Sequence, residues 1–413
     1  MVKTKISINK ITHDDVKSSV FQSLENIGAN ELFSKPNLRV LIKPNLLMPK
    51  EPERATTTHP DVVKYVIQWV KQFNPENIIV GESSGTKKRG VTEKAFEKSG
   101  IKKVCEDEEI EWTPFEQTKR KIYKVENPLV LNEFSSSELI DGVDIIINIP
   151  KIKTHGQCLL TCVIKNMFGT LILGNKPQTH ARFPRMEDFN RALADIYSVS
   201  KPQLTLVDGY YCQEGNGPSA GDVVKLDLVI AGYDPVALDT LVCELIGFNP
   251  NEVLYIKEAE KKSLGSSNLQ DFELLGDPLD SVKRIFKKPK FHMRNLPIPK
   301  FLADYVGRTL FRSSIKFDSK KCRLCGTCWK NCPVKAISPP EVIKKGNKPS
   351  WNKDLCITCY CCAELCPYEA VEFKINYIRN IFTSGLGVIF LILALGIIGI
   401  IWIIILIVNS LFF

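Results

Sequence analysis

The stretch "VDIIINIPKIKTHGQCLLTCVIKN", residues 143–166, joins an apolar run to a group of polar side chains. Its first half consists largely of β-branched residues, which is typical of a strand that is buried on both faces of a parallel sheet. Its second half places His155, Cys158, Cys162 and Lys165 within eleven positions. Two interpretations stay open for this second half, a reaction centre or the start of a buried helix.

Four more runs of the same kind predict further buried strands, and one amphipathic segment between them predicts a helix with Pro60 in its first turn. The strands are "NLRVLIKPN" (37–45), "NIIVGES" (77–83), "QLTLVDG" (203–209) and "KLDLVIAG" (225–232), and the helix is "PDVVKYVIQWVKQF" (60–73). Strands that alternate with helices predict a doubly wound, mostly parallel α/β domain over residues 1–280.

In such sheets ligands bind beyond the carboxyl ends of the strands. Polar residues at these ends are therefore the candidate site, and we interpret Lys43, His155 and Lys165 as catalytic. The residues that we expect to bind an anionic small molecule or organic cofactor are Lys153, Asp208 and Glu214, the last two in the glycine-rich loop "DGYYCQEGNGPSAG" (208–221). The loop is not a P-loop, and no strand is followed by a GxGxxG fingerprint.

The other residues of this region carry open alternatives. Cys158 and Cys162 are four apart, so we expect both on one helix face, where packing is favoured over metal binding with His155. His180 lies in a predicted loop as a lid or surface residue, and Asp234 before Pro235 is expected to cap a helix.

Nine of the fourteen cysteines lie between Cys322 and Cys366, mostly in two runs, "CRLCGTCWKNCP" and "CITCYCCAELCP". Both runs have the spacing C-x2-C-x2-C-x3-C-P, and such clusters in a cytoplasmic protein are metal ligands more often than disulfides. Zinc usually takes two C-x2-C pairs, so this spacing favours iron–sulfur clusters over zinc. Cys361 fits no ligand position and is expected to be a packed thiol.

Residues 315–375 resemble a bacterial 2[4Fe–4S] ferredoxin domain, which implies one-electron transfer at low potential. The resemblance implies two ligand sets, in which the fourth cysteine of each run serves the other cluster. One set is Cys322, Cys325, Cys328 and Cys366, and the other is Cys356, Cys359, Cys362 and Cys332.

The segments "LIKPNL", "THPDVV", "GESSG", "PKIKTH", "KNMFGT", "DGYYCQEGNGP" and "GYDPVALD" occur in an order that resembles the DUF362 family. No activity is implied, because none is assigned to that family. A fainter likeness links His155, Lys165 and His180 to the nickel-pincer lactate racemases, in which such a lysine tethers the cofactor and a later histidine ligates nickel. The racemases have an acid/base histidine at the position of "GESSG" and a glycine-rich turn before the lysine, and this sequence has neither. The likeness therefore implies a shared ancestral site and does not imply racemase chemistry.

The segment "GLGVIFLILALGIIGIIWIIILIV", residues 385–408, contains no charged residue. A helix of this length, at about 1.5 Å per residue, covers a hydrocarbon layer of roughly 30 Å, which predicts a single transmembrane helix more readily than a buried core helix. Lys374 and Arg379 precede it, so we expect a tail anchor in the cell membrane with the bulk of the chain in the cytoplasm. The N-terminus shows no signal peptide.

The net charge of +9 equals the excess in one stretch, residues 283–316, which holds ten Lys or Arg and one acid, Asp304. This stretch overlaps the predicted basic linker, residues 281–314. Beside a membrane anchor it favours anionic lipid headgroups as partners, and nucleic acid is disfavoured because no recognition motif accompanies it.

Together these features predict a membrane-anchored iron–sulfur oxidoreductase. Two [4Fe–4S] clusters would pass single electrons to a site in the α/β domain, from a redox partner protein or a small-molecule donor, with a further metal or organic cofactor left open. Two rival hypotheses are an electron-transfer subunit that docks a partner without catalysis, and a metal or cofactor maturation protein.

Overall fold

The computed structural model describes residues 3–289, 314–344 and 346–374. The chain divides into two units, residues 1–292 with 319–370, and residues 293–318 with 371–413. The first unit contains the predicted α/β domain and both cysteine runs. In the described part of the second unit, the strands Ser314–Phe317 and Val371–Lys374 form an antiparallel pair.

The strands of the α/β domain are short apart from one long hairpin. They are β1 Thr4–Lys10, β2 Arg39–Lys43, β3 Asn77–Glu82, β4 Glu111–Pro114, β5 Arg120–Lys124, β6 Glu133–Ser137, β7 Ile145–Asn148, β8 Lys151–His155, β9 Leu159–Thr161, β10 Leu204–Glu214, β11 Asp222–Gly232 and β12 Phe272–Gly276. The main sheet has the order β12-β1-β11-β10-β7-β2-β3-β4, and β8 pairs with β10 and β9. From β10 through β7, β2 and β3 to β4 every pair is parallel, so the carboxyl ends of these five strands point to one edge.

Helices cover both faces of this sheet. They are α1 Val16–Asn26, α2 Pro60–Lys71, α3 Val91–Lys98, α4 Ile101–Asp107, α5 Leu139–Gly142, α6 Val163–Asn166, α7 Asn175–Arg182, α8 Met186–Val199, α9 Pro235–Ile246, α10 Leu254–Lys261 and α11 Leu279–Val282. Side chains of α1 to α4 form one core, and side chains of α6 and α8 to α10 form the other.

The strand β7 shows why the apolar run of residues 143–150 has no polar alternation. Ile146 packs into one core, whereas Ile145 and Ile147 pack into the opposite core. A strand that is buried on both faces needs apolar side chains at successive positions. The predicted strands at 37–45, 77–83 and 203–209 and the helix at 60–73, with Pro60 in its first turn, are confirmed. The structure adds His59 as the N-cap of this helix.

The prediction that residues 208–221 form a glycine-rich loop was wrong. Residues 208–214 continue β10, and the chain turns only at residues 215–221 before β11 returns antiparallel. The aromatic and β-branched residues of this stretch suit a strand, and the glycines define only its end. Because β1 also pairs antiparallel with β11, one side of the sheet is mixed.

The predicted fold class was wrong as stated, and a mixed α/β fold with a parallel sheet segment replaces it. The prediction included a transmembrane helix at residues 385–408. Among the described residues no helix has the length and apolar character needed to cross a bilayer, and residues 385–408 lie outside the described ranges. An apolar run shows that a segment can enter a membrane, but it does not by itself establish a helix.

The cysteine-rich module, which we define as residues 319–370, belongs to the same unit as the sheet and contacts its loops. Glu369 accepts hydrogen bonds from Lys50 at 3.2 Å and from Arg54 at 2.5 Å. Asn331 accepts one from the backbone N–H of Lys87 at 2.7 Å. These contacts place the module's short helix Cys361–Glu364 against the loops that follow β2 and β3.

Candidate functional site

A cavity of about 70 Å³ lies where the carboxyl ends of the strands meet the cysteine-rich module. One wall comes from the loops after β2 and β3, from β8, and from α6 and α7. The opposite wall comes from Cys361, Glu364 and Leu365 of the module. A cavity of this size has room for a few waters or for a small ion. We call it the strand-end pocket.

Two of the buried lysines near this edge are neutralised by carboxylates. Lys43 forms an ion pair with Glu82, and Lys151 forms one with Asp208 at 2.8 Å. All four side chains are buried, and Asp208 also accepts a hydrogen bond from the backbone N–H of His59 at 2.7 Å. Such pairs stabilise the fold only while both partners are present. Lys43 and Asp208, both predicted site residues, therefore have structural partners and do not line the pocket.

Two further buried lysines, Lys153 and Lys176, line the pocket and form no ion pair with any described residue. The Lys153 ammonium donates to Asn45 Oδ1 at 2.7 Å and to the carbonyl of Thr56 at 2.8 Å. The Lys176 ammonium donates to the carbonyls of Ser83 and Ser84. Burial lowers the pKa of Lys176 to about 8 and lowers the pKa of Lys153 well below its usual value, where Lys165 adds to the effect.

Lys165 lines the same pocket from α6, with its ammonium 5.7 Å from the centre of the Phe168 ring. It makes no ion pair within the described part of the chain. Three lysines therefore line one small cavity together with the carboxylates of Glu82 and Glu364, and none of the three lysines forms an ion pair within the described structure. This arrangement favours an anion, because buried charges need a partner of opposite sign.

His155 is fully buried at the end of β8 but does not line the pocket. Its Nδ1 accepts the backbone N–H groups of Gln157 and Cys158, both at 3.1 Å, so the ring proton of the neutral form belongs on Nε2. Nε2 lies 3.1 Å from Oε1 of Glu364, outside hydrogen-bond geometry. Burial lowers the pKa of His155, which favours the neutral ring.

Glu364 brings a carboxylate of the cysteine-rich module into the pocket. Burial alone would raise its pKa, but the interactions with His155 and then with Lys165 outweigh burial and lower it to about 2. Glu364 therefore links the His155 ring to the cavity, which Glu364 lines and His155 does not.

His180 was predicted in a loop, but it lies on α7 and its ring stacks on Phe189 with centroids 4.2 Å apart. The ring is buried, lines the pocket, and has an Nδ1 without a hydrogen-bond partner in the described structure. Burial lowers the pKa of His180 to about 3. Thr161 Oγ1 and Glu364 Oε1, which also line the pocket, are buried and unpartnered in the same sense. Unpartnered polar atoms around a cavity favour a polar occupant.

The prediction that Cys158 and Cys162 share one helix face was wrong. Cys158 lies in the turn between β8 and β9, and Cys162 directly precedes α6. Both thiols are buried, and burial raises the pKa of Cys158 to about 12. Asp239 anchors the start of α6 by accepting the backbone N–H groups of Val163 and Ile164, each at 2.9 Å. Packing explains both thiols.

The remaining predicted residues lie away from the pocket. Glu214 pairs with Lys287 at 2.9 Å. Asp234 caps α9 by accepting the backbone N–H groups of Val236 and Ala237, each at 2.9 Å, which confirms the predicted cap.

Sequence reasoning missed two pocket residues, Lys176 and Glu364. Lys176 follows no strand, so the strand-end rule does not single it out. Glu364 lies between the ligand candidates Cys362 and Cys366. The spacing of the cysteines predicts no role for the residues between them.

The eight predicted cluster cysteines are free thiols within the described module, and no three of them are placed there as a preformed metal site. Burial raises the pKa of Cys328 to about 12. The thiols of Cys366, Cys325 and Cys322 add to this increase. Burial also raises the pKa of Cys362, and four other thiols add to the increase, those of Cys359, Cys356, Cys328 and Cys332. Backbone N–H groups lie 3.2–3.4 Å from the sulfur atoms of Cys332, Cys356 and Cys366, as suits thiolates that bind a cluster.

Two families match parts of the chain. Residues 40–244 match the domain of unknown function DUF362, and residues 321–370 match the 4Fe-4S dicluster domain. Both resemblances predicted from the sequence are confirmed, and the chain carries an iron–sulfur domain.

A "thylakoid-associated protein" of Synechocystis is 28% identical over 271 residues, which cover 65% of this chain and 82% of that protein. The "pyruvate synthase subunit PorD" of Thermotoga maritima is 40% identical over 55 residues, 13% of this chain and 52% of that protein. The apoprotein structure of a lactate racemase from Thermoanaerobacterium thermosaccharolyticum is 12% identical with a TM-score of 0.39, covering 59% of this chain and 57% of that one. A likeness at that level supports no functional argument.

The buried pair of Lys151 and Asp208 allows a test of whether Asp208 stabilises the fold or binds a ligand. Asp208→Asn leaves the Lys151 ammonium buried without a carboxylate, so we expect a loss of about 3–5 kcal/mol in the free energy of unfolding. Glu214→Gln removes a partner of the exposed Lys287 and should cost less than about 1 kcal/mol. Anaerobic urea unfolding of both variants measures this difference, and an Asp208→Asn protein as stable as the wild type would contradict the structural role.

The pKa of Lys176 predicts how anion binding depends on pH. The group is an ammonium below its pKa of about 8 and a neutral amine above it. The affinity of the pocket for a small anion should therefore be constant below this pH and fall above it. Isothermal titration with formate, oxalate and sulfate, whose charges do not change from two units below to two units above that pH, measures the effect. Lys176→Met should remove the fall in affinity that begins near this pH, and an unchanged fall in that variant would exclude Lys176 from the binding site.

Proposed function

We propose that the protein is an iron–sulfur oxidoreductase that acts on a small anionic substrate in the strand-end pocket. One observation carries this proposal. The cavity has Lys153, Lys165 and Lys176 on one wall, and on the other wall it has Cys361 and Glu364, which flank the predicted cluster ligand Cys362. A binding site for an anion and a predicted source of electrons thus share one cavity.

The predicted ligand sets are Cys322, Cys325, Cys328 and Cys366 for one [4Fe–4S] cluster, and Cys356, Cys359, Cys362 and Cys332 for the other. When bound, such clusters supply electrons one at a time.

The lysines would bind and orient the anion. Lys153 and Lys165 form no ion pair in the described structure, so a substrate carboxylate or oxyanion would complete their pairing. The same charges would stabilise the negative charge that a substrate gains when it accepts electrons. Lys43 would contribute indirectly, by holding Glu82 at the edge of the pocket.

Lys176 is our candidate for the proton donor. Its pKa of about 8 lies near neutral pH, where a general acid works most effectively. The proton would leave Nζ for the substrate atom that has accepted electrons. His155 would position Glu364, and the apolar side chains of Leu365 and Phe168 would exclude water from the cavity.

The test uses the full chain, reconstituted anaerobically and reduced with dithionite that is then removed. We expect one or more electron-accepting small anions, from a panel of 2-oxo acids, unsaturated carboxylates, nitrite and sulfite, to restore the visible absorbance of the oxidised protein. Lys153→Met should slow this by at least about tenfold, since it removes a charge from the binding wall. His155→Ala should also abolish turnover with iron and sulfide content unchanged.

Lys103→Met is the matched control, because the Lys103 side chain is 77% exposed on α4 and does not line the pocket. Equal rates in Lys153→Met and the control would contradict the proposed site. Oxidation by a protein acceptor but by none of the anions would favour the second candidate, an electron-transfer subunit. The similarity of residues in the cysteine-rich module to a pyruvate synthase subunit supports that candidate.

Association with a membrane is a separate proposal, supported by the name of the thylakoid-associated relative and by the basic stretch at residues 283–316. Flotation of the full chain with phosphatidylserine vesicles tests it. We expect co-flotation that weakens with salt, because lysines and arginines near a bilayer attract anionic lipids. Protein that stays at the bottom of the gradient at low salt would contradict the proposal.

A further inference from the structure

The outward surface of the cysteine-rich module is strongly basic. Residues 319–370 contain nine Lys or Arg and four Asp or Glu. Eight of the nine basic residues are described, and all eight are exposed. Basic residues outnumber acids by a larger ratio on the surface than in the composition, because the acids are not distributed evenly.

Two of the four acids are directed at the α/β domain. Glu364 lies in the strand-end pocket beside His155, and Glu369 binds Lys50 and Arg54. Only Glu341 and Asp354 remain as exposed acids in the described module. The described part of the module therefore exposes eight basic residues and two acids, which gives its surface a positive balance.

The predicted cluster ligand Cys325 lies within this surface and is exposed. Arg323, two residues before it, is exposed as well. The Lys330 side chain lies against the next residue, Gly326, since a Cβ added there would be 3.3 Å from the Lys330 ammonium. Positive charges thus flank the one cysteine of the module that is exposed to solvent in the described structure.

We infer that this surface is the docking site of an acidic electron-carrier protein. Charge complementarity steers such a carrier toward Cys325 and fixes its orientation there. In each encounter one electron passes between the two proteins, so the carrier is oxidised by one electron while this protein is reduced by one, with no proton or group transferred. The exposed thiol of a predicted cluster ligand between Arg323 and Lys330 favours a redox partner over a lipid surface, because lipid binding requires no cluster ligand at the surface. The inference goes beyond the proposed function, because it does not depend on the pocket or its substrate.

The experiment measures binding of the full, anaerobically reconstituted protein to an oxidised plant-type ferredoxin, which is acidic, by biolayer interferometry at several salt concentrations. We expect an affinity that falls as salt rises, and a loss of about tenfold or more at low salt in the double variant Arg323→Glu, Lys330→Glu. The matched control reverses two exposed lysines on α1 and α4, Lys17→Glu and Lys103→Glu, and should bind like the wild type. Cytochrome c, a basic carrier, should not bind.

Iron and sulfide analysis of each variant separates loss of docking from loss of the clusters. If charge reversal lowers the iron content, the neutral pair Arg323→Gln, Lys330→Gln takes its place, and it should weaken binding with full iron content. Equal weakening in the control pair, or unchanged binding in both surface variants, would overturn the inference. Binding to phosphatidylserine vesicles that depends on Arg323 and Lys330, with no binding to ferredoxin, would overturn it in favour of a membrane surface.

Discussion

The need to neutralise buried positive charge organises this protein. The sheet brings Lys43, Lys151 and Lys153 to one edge, and α7 adds Lys176 behind the same loops. A buried ammonium without an anion is costly, so each lysine needs a partner or must lose its proton. Lys43 and Lys151 have carboxylates from neighbouring strands, whereas Lys153 and Lys176 have only neutral oxygen atoms. This asymmetry separates the structural lysines from those available to a ligand.

The cysteine-rich module completes the same site from the other side. Its helix Cys361–Glu364 closes the pocket, and Glu369 fixes the module to the loops after β2. Gly85 permits this approach, because a Cβ there would come within 3.0 Å of Leu365. The α/β domain and the module therefore form one functional unit in our account. In that account electrons would reach the pocket beside Cys361 and Glu364, which flank the predicted ligand Cys362, and neither half of the chain would contain the site alone.

Much of this architecture could be predicted from the sequence, because burial on both faces leaves a continuous apolar run that periodicity detects. The strands around Ile42, Val80 and Ile146 follow that rule, and the strand-end rule directed attention to Lys153, which lines the pocket. The antiparallel hairpin was missed because glycines at residues 215–221 suggested a longer loop. Lys176 and Glu364 were missed because their position depends on how α7 and the module pack, which no local pattern records. The pairing of Lys43 with Glu82 likewise depends on the register of two strands that are far apart in sequence.

The most direct test of the account is anomalous diffraction from anaerobically grown crystals of the full chain in the presence of bromide. We predict iron within bonding distance of the two sets of four cysteines, and a bromide ion in the strand-end pocket in contact with the ammonium groups of Lys153 and Lys165. Iron at those cysteines with Lys165 turned onto Glu364 and no anion between the lysines would contradict the proposed site, because the charge would then be neutralised without a ligand.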